Sequence, residues 1–196
     1  MLKFGKRINY RPLLVSTVSA LVIGGLFGFN ISHSLGIKVG IIIFTLIFLG
    51  HYLLILPIIF NYWDSDAKFI RYNDEINFGK RLFTMLFPKL DKLTVIDKKL
   101  IKSITIIGLP MRNGLLASAL VVSTQGGFLY NLLVMMHHPV KLELTLTNNQ
   151  KVFLDLSRDY VYQPAETLGK IKIFLHDFKP EQIKLNSTTQ QVLANL

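Results

Sequence analysis

The sequence predicts a membrane-anchored α+β protein: an N-terminal two-helix transmembrane hairpin, then an antiparallel β-barrel or sheet closed by a C-terminal amphipathic helix. Three observations predict it. Residues 12–31 and 39–60 hold no Asp, Glu, Lys or Arg. Residues 140–156 alternate apolar and polar side chains on both sides of Asn148-Asn149-Gln150. Between Pro164 and Pro180, Leu168, Ile171, Leu175 and Phe178 recur at three- and four-residue spacing.

A spanning helix rises about 1.5 Å per residue and must cross roughly 30 Å of hydrocarbon, so about 20 apolar residues are needed. Both N-terminal stretches meet that length, and residues 32–38 between them read as a short loop. Lys3, Lys6, Arg7 and Arg11 precede the first stretch without an acidic residue, and the loop carries only Lys38 and His33. Residues 61–114 carry ten Lys and Arg against six acids. Lys and Arg near the ends of spans are retained inside, so the expectation is a multi-pass cell-membrane protein with both termini cytoplasmic. A cleaved signal peptide is the competing reading of residues 12–34, but its apolar core is shorter and no second span follows it directly.

Inside the hairpin, Gly24, Gly25 and Gly28 form the small-residue pattern that lets helices approach closely, and they are candidate helix-packing positions. His51 lies mid-span, where ionisable groups are rare and often functional, and the preferred reading is a neutral imidazole beside Tyr52 satisfied by a hydrogen bond to the facing helix. Asn61-Tyr62-Trp63 reads as the aromatic belt at the headgroups.

Composition requires a second, non-spanning region. Of the 196 residues 51% are hydrophobic, high for a soluble domain, yet 17% are charged, too many for a chain wholly in lipid. The stretch from Asn61 to Leu196 is long enough for one compact domain. The chain is therefore divided into a basic cytoplasmic N-terminus (1–11), the hairpin (12–60), a β-rich domain (61–180) with an apolar insertion at 108–139, and a mobile polar tail (181–196). Cysteine is absent, which excludes disulfides, thiolate metal sites and cysteine nucleophiles.

Beyond Trp63 the pattern changes to period two. Residues 67–72 alternate after an Asp-Ser-Asp turn, and residues 100–107 are a β-branched run. Val140, Leu142, Leu144 and Leu146, then Val152, Leu154 and Leu156, describe two strands joined by an Asn-rich turn, a β-hairpin with one buried face. Pro164 opens and Pro180 closes the amphipathic helix at 165–178. Residues 115–136 are a third uncharged run, divided by Gln125-Gly126-Gly127. Three readings of it stand: a β-hairpin in the domain core, a membrane-lying insertion, or a third span.

The order of strands, apolar hairpin, strand hairpin and closing helix behind a two-helix anchor resembles the bacterial pleckstrin-homology-like domain membrane proteins of Gram-positive bacteria. The resemblance covers residues 61–178 and is one of pattern, carried by residues 63–72, the segment Val95-Ile96-Asp97-Lys98-Lys99-Leu100-Ile101-Lys102-Ser103-Ile104 and the helix at 165–178. It implies a small antiparallel barrel with a helix over one open end, serving as a binding or scaffolding module.

Catalytic chemistry is weakly signalled. Asp64-Ser65-Asp66 has a metal-holding spacing but reads as a turn entering a strand. His137-His138 point to opposite faces if extended, with no carboxylate close in sequence. No nucleophile elbow, phosphate-cradling glycine loop or zinc-protease helix signature occurs, so the expectation is a non-enzymatic protein without cofactor or metal.

The net charge of +10 is concentrated near the hairpin ends. Each Lys or Arg close to an anionic surface is worth about 1 kcal/mol. Lys80, Arg81, Lys89, Lys92, Lys98, Lys99 and Lys102 are therefore the candidate contacts to anionic headgroups. Nucleic acid is the less suitable partner, because aromatics are barely interleaved with these cations. Expected partners are the lipid bilayer, its anionic headgroups and a protein partner or second copy. The alternative is an accessory subunit of a membrane enzyme or transporter acting through its hairpin.

Overall fold

A computed structural model describes residues 1–74, 77–109 and 127–194, which form two compact units. One comprises Met1–Lys6, Asn61–Asn73 and Leu93–Leu196; the other comprises Arg7–Phe60 and Asp74–Lys92.

The second unit contains the apolar helices. In α1 (Arg11–Asn30), Pro12 occupies the first turn, where the missing N–H costs nothing. After two residues comes α2 (His33–Ile59). Ser32 caps it, its hydroxyl accepting a hydrogen bond from the Leu35 amide at 3.3 Å. The expected loop at 32–38 is thus mostly helix. Both helices are long and apolar enough to cross a membrane. α2 widens into a π-type stretch at Leu46–Leu53, just ahead of Pro57. Proline has no N–H to give and its ring crowds the carbonyl four residues back, so a wide turn there relieves the clash with Leu53. A short helix, α3 (Phe78–Leu86), joins this unit. Its Met85 is buried with Ile8, Phe48, Leu53, Leu56 and Phe60.

The first unit is built of two antiparallel-rich sheets. Sheet one has the order β1 (Leu2–Gly5), β2 (Tyr62–Ser65), β3 (Phe69–Tyr72), β4 (Thr94–Asp97). Residues 1–11, expected to be a plain basic segment, therefore begin with an edge strand, paired Phe4 to Trp63 and Gly5 to Tyr62. Sheet two has the order β7 (Lys151–Asp155), β6 (Lys141–Leu146), β5 (Ile101–Ile107), β8 (Ile183–Lys184), with β8 parallel to β5. The anticipated β6–β7 hairpin is present in register, Leu142 opposite Leu154 and Leu144 opposite Val152. Asn149 takes the turn's left-handed position at φ 62°. Asn tolerates that region better than most residues.

Among the described residues the sheets do not close into a barrel. A single turn of 3₁₀ helix, Lys98–Leu100, breaks the chain between β4 and β5, and Asp97 accepts the Lys99 amide there. At the β1 edge a side chain stands in place of a further strand: Asp159 accepts the Gly5 amide at 2.7 Å. Such a contact blunts an edge that would otherwise invite pairing with another chain.

Between the sheets lies one core of Phe4, Trp63, Ile70, Ile96, Ile104, Leu142, Leu144 and Leu154. It is covered by α5 (Ser157–Tyr162) and by the expected amphipathic helix, α6 (Pro164–His176), through Leu168, Ile171, Phe174 and Leu175. Trp63 is fully buried, edge-on to Phe174, and its indole N–H donates to the Asp155 carbonyl at 3.0 Å. It belongs to a protein core and not to the headgroup belt expected of it.

Two further expectations need correction. α4 (Phe128–His137) is a helix where the hairpin reading placed a strand, while residues 110–126 lie outside the described residues. The described part of the tail expected to be mobile, residues 181–194, is folded. Gln182 donates to the Ile101 carbonyl at 2.8 Å, β8 pairs with β5, and α7 (Ser187–Ala194) buries Leu193 while the Thr189 hydroxyl donates to the Leu109 carbonyl.

Candidate membrane-contact site

The seam between α1 and α2 is made by backbone. A Cβ on Gly36 would lie 2.5 Å from the Gly28 Cα and 2.6 Å from the Gly24 carbonyl oxygen. One on Gly24 would lie 2.8 Å from the Gly36 carbonyl oxygen and 3.0 Å from the Gly40 Cα. Only glycine permits this approach, the arrangement by which small residues bring apolar helices together. Gly24 and Gly28, two of the three glycines named from the sequence, lie against Gly36 and Gly40, which the sequence reading did not name. The signal that would have found them is their own four-residue spacing, matching that of Gly24 and Gly28. Gly25 faces away, with only the Phe29 ring at 4.0 Å. Beside the seam runs an apolar groove of about 500 Å³ lined by Ala20, Leu21, Gly25, Phe29, Ile37 and Phe44.

The seven candidate headgroup contacts do not form one set. Lys80, Arg81, Lys89 and Lys92 belong to the hairpin unit; Lys98, Lys99 and Lys102 belong to the sheet unit. Lys98 is not a surface cation at all. It is 8% exposed, its ammonium lies 2.6 Å from an Asp177 carboxylate oxygen, and it sits 5.5 Å from the centres of both the Phe174 and Phe178 rings. A buried ammonium needs such a partner, so this lysine serves the fold. Lys99 is exposed, and Lys102 reaches the Asn149 side chain at 3.2 Å. In the hairpin unit Lys89 and Lys92 are exposed and Lys80 and Arg81 half-buried. Burial pushes the Asp91 carboxyl up, against the pull of Lys80 and Arg7.

Asp64-Ser65-Asp66 is an ion-pair element. Asp64, fully buried, accepts from the Arg71 guanidinium at 2.6 Å and from the Tyr62 hydroxyl at 2.9 Å. Asp66 accepts the Phe69 and Lys68 amides, which hold its carboxyl below the usual range. His51 meets Tyr52 edge-on with ring centres 5.0 Å apart. His137 ends α4 and His138 follows it.

Comparison with protein-family models, with curated protein sequences and with solved structures finds no match. The functional reading therefore rests on the geometry of this chain.

Proposed function

We propose that this is an integral membrane protein of the non-enzymatic binding or scaffolding type. α1 and α2 cross the bilayer as a hairpin with both ends cytoplasmic. The sheet unit, pleckstrin-homology-like in kind, is presented at that surface to anionic headgroups or a protein partner.

The observation that carries the reading is the bond from the Lys6 amide to the Asn61 carbonyl, 3.0 Å long. It joins the residue before the apolar segment to the residue after it. A segment whose two ends are hydrogen-bonded to each other leaves and returns on the same side, which supports an even number of spans, two, within residues 7–60. The cations Lys3, Lys6, Arg7 and Arg11 before α1, and Lys80, Arg81, Lys89 and Lys92 after α2, favour the inner side. Two antiparallel-rich sheets capped by an amphipathic helix support the pleckstrin-homology-like resemblance. The alternative, an accessory subunit docking through Gly24, Gly25 and Gly28, is less favoured because Gly24 and Gly28 already pack against Gly36 and Gly40 of the same chain.

Because the chain has no cysteine, single substitutions report topology directly. Ser34→Cys should react with an impermeant maleimide from outside intact cells, and Asn149→Cys only after permeabilisation. External labelling of Asn149→Cys would overturn the assignment. Anionic lipid should copurify preferentially with the full chain, less so after K80Q, K89Q and K92Q together, and no preference would remove the headgroup half of the proposal.

A further inference from the structure

α3 and the turn after it carry a surface that the hairpin unit does not cover. Met85 is fully buried, with Leu82 and Leu86 partly so, against Ile8, Leu53, Leu56 and Phe60. These contacts fix α3 at the end of the hairpin where α1 begins and α2 finishes. On the chain's other side Phe83, Phe87 and Leu90 recur at four- and three-residue spacing and are 47%, 49% and 61% exposed. Phe83 and Phe87 form one patch, their ring centres 5.3 Å apart. The 3₁₀ turn Pro88–Leu90 follows the helix end and carries the exposed Leu90. Exposed Phe78 stands at the start of α3. Lys80, Arg81, Lys89 and Lys92 are interspersed with these rings.

We propose that residues 78–90 are an interfacial foot, whose Phe83, Phe87 and Leu90 enter the headgroup–acyl boundary of the bilayer that α1 and α2 cross. This rests on the membrane reading above and adds to it a third membrane contact that crosses nothing. Three arguments select lipid as the occupant. The stripe belongs to the same compact unit as two helices of spanning length, so it continues a surface already in lipid. It lies at the hairpin end bearing Arg7 and Arg11, which is the depth of the headgroups. Its make-up of Phe and Leu beside Lys is that of helices lying about 5–10 Å into the interface. With Trp63 and Tyr62 buried in the sheet unit, the exposed aromatics at this end of the hairpin unit include Tyr10, just ahead of α1, and Phe78, Phe83 and Phe87.

The test uses the full chain in vesicles of phosphatidylcholine with about one third phosphatidylglycerol. Single variants Phe83→Cys, Phe87→Cys and Leu90→Cys carry an environment-sensitive label, with Gly25→Cys as the mid-span reference and Asn149→Cys as the aqueous one. The expected result is quenching of the first three by lipids brominated high on the acyl chain, with iodide quenching at least about fivefold weaker than at Asn149→Cys. Gly25→Cys should be quenched by deep bromines. If the stripe is open to iodide while Gly25→Cys is lipid-quenched, the foot is overturned and the spanning hairpin stands. If the stripe is sheltered from both quenchers, a protein contact covers it and the proposal is again overturned. If Gly25→Cys is itself open to iodide, the membrane reading fails and takes the foot with it. Three separate positions guard against one variant that misfolds.

Discussion

Phe4 lies flat on Trp63, ring centroids 4.0 Å apart and planes 11° from parallel, so a residue before the apolar helices and one after them share a core. Burying a ring on each side of a long excursion binds the ends of that excursion by side-chain packing as well as by the β1–β2 ladder. Phe4→Ala should cost about 3–5 kcal/mol. Trp63 is the single tryptophan, so its emission during denaturant unfolding in micelles reads the loss directly.

The glycine seam makes a contrast between neighbours. Gly36→Ala forces a Cβ against three backbone atoms of α1 and should cost about 1–3 kcal/mol, as overpacking does. Gly25→Ala meets only a ring edge at 4.0 Å. It should be neutral or slightly stabilising through helix propensity. Thermal loss of helical circular dichroism in micelles separates the two. Equal effects would refute the seam.

The Lys98–Asp177 pair should be asymmetric. Asp177 is 41% exposed, so Lys98→Met leaves a hydrated carboxylate and keeps the packing on Phe174 and Phe178. That change should cost less than about 1 kcal/mol. Asp177→Ala strands a buried ammonium and should cost about 1–3 kcal/mol. Denaturant midpoints of the two variants check the order.

Asp155 gives a pH dependence. Burial, with Asp159 nearby, raises its carboxyl above the ordinary value of 3.8 although the Ser157 hydroxyl and amide oppose the shift. A carboxyl raised in the fold contributes stability that is present below its ordinary value and lost as pH rises through its folded value. Asp155→Asn keeps the acceptor for the Ser157 amide without the charge. It should melt higher than the parent at neutral pH, and the difference should shrink as the solution is acidified toward the ordinary carboxylate range.

What was legible in the residues was whatever carried a long, clean period. Leu142, Leu144, Val152 and Leu154 alternate over enough positions to fix both the hairpin and its register, and Leu168, Ile171 and Leu175 fix the face of α6. β1 is four residues long and its partner lies beyond both apolar helices, so no local pattern announces it. An apolar run as short as residues 128–136 reads as strand or helix equally, and the helix is what forms. The role of Lys98 depends on a carboxylate 79 residues away, which no spacing rule connects to it.

The position of β1 ahead of the hairpin also orders events in time. At about 5–20 residues per second, a ribosome needs several seconds to pass from Phe4 to Trp63. During that interval the first strand has no sheet to join. Its partner follows both apolar helices in the chain, so on the proposed two-span topology an insertion error that left one helix uncrossed would separate the two strands by a bilayer. On that topology the completed sheet one would mark correct insertion, since a wrongly inserted chain would keep an open sheet edge.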